Sequence, residues 1–143
     1  MKIRIMEKAD LTAIINMMRG FYASDAVLTN GSEEIFLADA VECVSDSPYL
    51  EGYVFEESSE VIGYGMLAKS YSTEFGKGCI WIEDIFIKEG YRGLGIGSDF
   101  IRMVEKKYPN HILRLEVEGE NESAVSVYKK NGFDFLPYLE MKK

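Results

Sequence analysis

An α/β fold built on a mixed sheet is predicted by three features of the chain. Short β-rich runs alternate with amphipathic helical segments; two of those runs, Tyr53–Glu56 and Val61–Lys69, are separated by the polar turn Glu57-Ser58-Ser59; and a strand, a helix and a second strand follow one another from Ile80 to Val117. The short turn makes the first pair an antiparallel hairpin. The strand–helix–strand succession demands a right-handed parallel crossover, so one sheet must hold both pairings and carry helices on both faces.

The elements follow in order. Lys2–Met6 alternates charged and apolar residues as a first strand, and Asp10 offers an N-cap to a helix burying Leu11, Ile14, Ile15 and Met18, with Gly20 at its end. Ser32, followed by Glu33 and Glu34, starts a second helix, since a hydroxyl cap and an acidic first turn both suit exposed amides; Leu37, Val41 and Val44 form its expected buried stripe. After the hairpin, Ile80–Lys88 is rich in β-branched and aromatic residues and runs through YRGLGIGS into a helix with Ile96, Phe100 and Val104, which Pro109 stops. Leu113–Glu118 is again a strand, Asn121 opens a helix through Lys130, and Asn131-Gly132 ends it before a closing strand pair from Phe133. The predicted order is β-α-α-β-β-β-α-β-α-β-β.

Bulk properties remove several function classes. A chain of 143 residues, 47% apolar, matches one domain spanning 1–143 with a core of its own. Its net charge of −8 opposes a surface that follows nucleic-acid phosphates. That charge suits a cationic partner and equally serves solubility. Cys43 and Cys79 show neither CxxC nor metal-ligand spacing and read as reduced core thiols. The start MKIRIMEK is too charged for a signal peptide, and no run of 18 apolar residues exists, so a cytoplasmic protein off the membrane is expected. His111 is the single histidine, which disfavours a histidine triad or a metal cluster; no metal is expected.

The segment Arg92-Gly93-Leu94-Gly95-Ile96-Gly97-Ser98 joins a strand to a helix. Its glycines let the backbone turn tightly enough for successive N–H groups to converge on one anion, as a diphosphate requires. A mononucleotide P-loop would end in Gly-Lys-Ser/Thr, and a dinucleotide fingerprint would need a third glycine where Phe100 stands. What does match is the Arg/Gln-x-x-Gly-x-Gly/Ala pattern, here Arg92, Gly95 and Gly97. With Asn121-Glu122-Ser123-Ala124 and Tyr128-Lys129-Lys130-Asn131-Gly132-Phe133, the chain resembles the GNAT superfamily of N-acetyltransferases. Within it, WIEDIFIKEGYRGLGIGS is similar to diamine acetyltransferases that modify spermidine and spermine.

The resemblance implies acetyl-CoA as the cofactor, its pyrophosphate on Arg92–Ser98 and its pantetheine arm paired with the backbone of Ile85, Phe86 and Ile87. Asn121, Ser123 and Tyr128 would touch it from the other side, with Tyr128 as general acid and a small-molecule amine as the partner. It also implies a bulge in the strand of Glu83 and Asp84, and an acidic residue comparable to Asp25, beside Tyr22, holding a distal ammonium. Homodimerisation is common among the resembled proteins, and Tyr138–Met141 is a candidate pairing strand.

The chemistry asks for a neutral nucleophile, a stabilised oxyanion and a protonated leaving thiolate. An alkyl ammonium titrates near 10.4, roughly as lysine does, so the site must strip a proton. Glu83 is the expected acceptor of that proton; Asp84, its neighbour, would face the opposite side of an unbroken strand, and only a bulge brings both to one cleft. A backbone N–H near Phe86 would meet the oxyanion. Two alternatives stay open: a protein-lysine or N-terminal acetyltransferase sharing these motifs, and a non-catalytic acyl-CoA sensor.

Overall fold

The computed structural model describes residues 1–143. Along the chain run β1 (Lys2–Ile5), a 3-10 turn (Lys8–Asp10), α1 (Leu11–Tyr22), α2 (Glu33–Val44), β2 (Leu50–Glu57), β3 (Glu60–Ser72), β4 (Lys77–Ile87), a second 3-10 turn (Glu89–Tyr91), α3 (Ile96–Lys107), β5 (Ile112–Leu115) and α4 (Glu122–Lys130). The strands lie in sequence order in one sheet, antiparallel from β1 to β4, with β5 parallel to β4. The predicted mixed sheet is the one observed. No helix is long and apolar enough to cross a membrane.

Each face of the sheet has its own core. On one, Ile14, Met17 and Met18 of α1 and Phe36, Ala40 and Cys43 of α2 pack on Val54, Tyr64 and Met66. On the other, Ile96, Phe100, Ile101 and Val104 of α3 pack on Phe55, Leu67, Ile80 and Ile82. Strand alternation sorts β3 between them, Met66 facing one core and Leu67 the other.

Several predicted details are revised. The buried stripe of α2 is Phe36, Ala40 and Cys43, one residue out of phase with the expected one; Leu37 and Val41 are 50% and 46% exposed, and only Val44 packs at the margin. The reason is close approach: a Cβ on Gly52 would stand 2.7 Å from the Cys43 Cβ, so the helix presents its smaller side chains to β2. Asp10 holds the N-cap position of α1 as expected, but its side chain makes no capping bond to the helix. Its carboxylate accepts from Arg4 Nη1 (2.8 Å) and Nη2 (2.9 Å) and from the Glu7 N–H (2.8 Å), holding the first turn to β1. Gly20 lies inside α1, which continues to Tyr22. Ser32 caps α2 as expected, accepting from the Ile35 N–H.

No strand pair follows α4. Pro137 has no N–H to give a ladder, and the side chains beyond it project outward, Leu139 being 95% and Met141 96% exposed. The outer edge of β5 is left without a strand neighbour.

Candidate active site

The site forms where β4 and β5 part. Their parallel pairing covers Cys79–Ile82 against Ile112–Leu115 and stops there, while β4 runs on to Ile87 paired only with β3. In an antiparallel edge of this kind alternate residues turn their N–H and C=O groups away from the partner strand, so Ile85 and Ile87 point backbone groups to the opening, the Ile87 carbonyl being taken by Arg92. The gap joins the two faces of the sheet.

Beyond Ile87 the chain makes its 3-10 turn and enters the glycine loop. Gly93 (φ +75°) and Gly95 (φ +82°) are left-handed, the conformation that excludes most side chains. Gly95 is the N-cap of α3, and the first internal helix bond runs from the Asp99 N–H to the Gly95 carbonyl. Consequently the consecutive N–H groups from Gly93 to Ser98 have no protein acceptor. That row of donors at the positive end of a helix dipole fits the pyrophosphate of acetyl-CoA. Arg92 braces the loop from behind: its Nε donates to the Ile87 carbonyl (2.8 Å), and its guanidinium lies 5.8 Å from the Phe86 ring centre. On the far side, Asn131 donates to Ser98 Oγ (2.8 Å), tying the end of α4 to the start of α3. Asn121 caps α4 through Oδ1, accepting from the Ala124 N–H, and Ser123 is exposed beside it.

The bulge is present and falls on Glu83. Leu67 pairs with Ile82 and Met66 with Asp84, so Glu83 is the extra residue, unpaired. Asp84 is 6% exposed and accepts from Tyr64 Oη (3.0 Å) and, over a longer 3.3 Å, from Tyr22 Oη. Burial pushes its carboxyl up to about 6, against the lowering effect of both phenols and with further upward pressure from Glu83 and Asp39. Glu83 is exposed at the cleft surface, and its carboxyl is raised by the surrounding protein and by Asp39 and Glu140. No ion pair of the molecule includes Asp39, Glu83 or Asp84.

Tyr128 approaches from the other face. It packs edge-on against Phe133 at 6.0 Å, and its phenol is raised by burial and by the charge of Asp84 across the gap. It therefore holds its proton throughout the physiological range. A cavity of about 550 Å³ opens beside it, walled by Trp81, Leu115, Val125, Phe133 and Leu136. A second, of about 440 Å³, lies at the C-terminal end of α3 between Lys77, Tyr108, His111 and Asn131.

The structure thus gathers Tyr22, Glu83, Asp84 and Tyr128 around one opening that the glycine loop borders. Asp25 stands exposed on the turn after α1, with no hydrogen bond or ion pair to the cleft. Two residues escaped the sequence reading. Tyr64 is a fully buried phenol on a strand of apolar neighbours, a position that obliges a hydrogen-bond partner. Asp39 is a lone acid within the apolar run IFLADAV, and that isolation is its signal.

The model of the Acetyltransferase (GNAT) family matches residues 15–133. The thialysine N-epsilon-acetyltransferase of Bos taurus is 33% identical over 96% of this chain and 86% of its own length. The spermine/spermidine N(1)-acetyltransferase of Bacillus subtilis is 27% identical over 76% of this chain and 73% of its own. The crystal structure of a predicted acetyltransferase with acetyl-CoA from Clostridium acetobutylicum superposes with a TM-score of 0.79, covering 99% of this chain and 95% of that one at 17% identity, a likeness of fold.

Proposed function

Since the chain belongs to the acetyltransferase (GNAT) family, we propose that it moves the acetyl group of acetyl-CoA directly to a primary amine of a small cationic molecule within a ternary complex. The observation that carries this reading is the course of one strand: β4 leads through a 3-10 turn to the unpaired N–H row of Gly93–Ser98, and its bulge leaves Glu83 unpaired and exposed. When bound, acetyl-CoA supplies an activated thioester. The N–H row grips its diphosphate, and the outward backbone groups of Ile85 and the Ile87 N–H align its arm as an added strand would.

Glu83 Oε takes the proton from the acceptor ammonium; it is accessible, unpaired and shifted toward the operating pH by its surroundings. Asp84, fixed by Tyr64 and Tyr22, contributes a negative field that draws the amine in. Tyr128 Oη gives a proton to the departing sulfur, a role for which its retained proton suits it. Backbone N–H groups near Phe86 face the developing oxyanion.

The same reading makes residues 1–143 one domain, cytoplasmic and homodimeric. Cys43 and Cys79 are buried free thiols, and the exposed Leu139 and Met141 follow a β5 whose outer edge lacks a strand. Calorimetry with acetyl-CoA, followed by mass spectrometry on panels of amines and lysine peptides, tests the function. Micromolar to millimolar binding and acetylated diamines are expected. Acetylated peptides without acetylated diamines would favour a protein-directed enzyme, and cofactor binding with no product would favour a sensor.

A further inference from the structure

We propose that Asn131, at the end of α4, is a positioning residue for the diphosphate of acetyl-CoA: it turns the hydroxyl proton of Ser98 toward the anion that the glycine loop grips. This rests on the acetyl-CoA reading above. Asn131 Nδ2 donates to the Val127 carbonyl (2.8 Å) and to Ser98 Oγ (2.8 Å). A carbonyl can only accept, so the amide nitrogen is the atom that faces both partners, and both of its hydrogens are spent. That nitrogen has no lone pair with which to accept from Ser98 in return. The serine hydroxyl must send its own proton elsewhere, and it donates to no group of the protein. A helical serine commonly bonds the carbonyl four residues back; here that residue is Leu94, in the glycine loop, and no such bond is made. Ser98 stands in the first turn of α3, and its N–H belongs to the unpaired row of the loop. One residue thus offers the anion two donors, one from the backbone and one from the side chain.

The amide of Asn131 is not needed to end its helix. Gly132 (φ +88°) does that: its N–H donates to the Lys129 carbonyl (3.0 Å) and the Phe133 N–H to the Tyr128 carbonyl (3.0 Å). These two bonds, with Phe133 packed on Tyr128, make a Schellman motif. Asn131 itself sits at φ −93°, ψ 16°, a right-handed conformation open to any side chain. Its backbone is therefore held in place, and its side chain is left to reach Ser98, 33 residues away along the chain. Both residues are half-buried, which protects the bond from competing water.

The test is a double-mutant cycle read by calorimetry with CoA, on Asn131→Ala, Ser98→Ala and the two combined. Ser98→Ala should weaken CoA by about tenfold, as loss of one hydrogen bond to a charged group implies. Asn131→Ala should weaken it by roughly threefold to tenfold, since the hydroxyl remains and loses only its orientation. The combined variant should bind as Ser98→Ala does, because Asn131 then has no hydroxyl to orient. In Ser98→Thr, which keeps a hydroxyl, the dependence on Asn131 should return. Losses that multiply in the combined variant would mean that Asn131 acts without Ser98, as a merely structural residue, and would overturn the proposal. Unchanged CoA binding in Asn131→Ala or in Ser98→Ala would overturn it equally. A wild type that binds no CoA would instead overturn the acetyl-CoA reading itself.

Discussion

The burden at the residue scale falls on a few hydroxyls and carboxylates whose surroundings separate their roles. Tyr128 is raised by burial and by Asp84, so it enters the reaction protonated. Removing only its oxygen, in Tyr128→Phe, keeps the ring packed on Phe133 and should cut kcat by about tenfold or more while acetyl-CoA affinity holds, the pattern of a group acting in the transition state. Full turnover in that variant would take Tyr128 out of the mechanism. Tyr64 acts through Asp84. It gives the shorter of the two phenol bonds to that carboxylate and so opposes the burial that lifts it to about 6. Tyr64→Phe should move the acidic limb of the kcat/KM profile to higher pH and destabilise the fold by about 1–3 kcal/mol, the usual cost of stripping a partner from a buried charged group. An unmoved acidic limb, with stability lost, would reduce Tyr64 to a packing residue.

At the scale of elements, what was legible in the sequence is what local chemistry dictates. The glycine loop, the Ser32 cap and the hairpin were readable because positive φ, amide capping and β-branched runs each leave a residue-type signature. The facing of α2 was not, because both Leu37/Val41 and Phe36/Ala40/Cys43 repeat at helical spacing and the choice is made by Gly52 on another strand. The closing strands were over-read from Phe133 onward: apolar residues there look strand-like whether or not a ladder receives them. The bulge at Glu83 could be expected from likeness alone, since nothing in Ile82-Glu83-Asp84 marks which residue drops out of register. The hairpin between β2 and β3 offers a test at this scale. Ser58 (φ +50°) and Ser59 (φ +66°) both occupy left-handed conformations in its two-residue turn, a geometry that favours Asn-Gly. Ser58→Asn with Ser59→Gly should add about 1 kcal/mol and raise Tm by a few degrees, checked by thermal melting with acetyl-CoA affinity unchanged. A fall in Tm would show that the serines are not strained there.

Across the whole molecule, ionisation sets stability against activity. With a net charge of −8 and unpaired acids crowding the cleft, the chain carries two opposed groups of carboxylates. Asp84 titrates at about 6 when folded, against an ordinary value of 3.8, so the folded state takes up a proton over that interval which the unfolded chain does not. Stability therefore rises as pH falls from neutral through about 6 toward 4, and Glu83, Asp39 and Glu116, also raised, act in the same direction. Asp10 and Glu51 act oppositely. Hydrogen bonds from Arg4 hold Asp10 low, and those from Lys107, Tyr53 and Tyr108 hold Glu51 low against its own burial, so their contribution is present above the ordinary carboxylate range and lost as pH falls through their depressed values. Tm should accordingly be higher near pH 5 than near pH 7.5 and then drop steeply below about pH 4. Activity should run the other way, failing below about pH 6 as Asp84 gains its proton and as the raised Glu83, the base for the acceptor's ammonium, protonates in its turn with falling pH. Melting curves and kcat/KM measured across the same buffers test both halves together; a Tm that falls steadily from neutral pH downward would mean that the cleft acids are not held against their own repulsion in the folded protein.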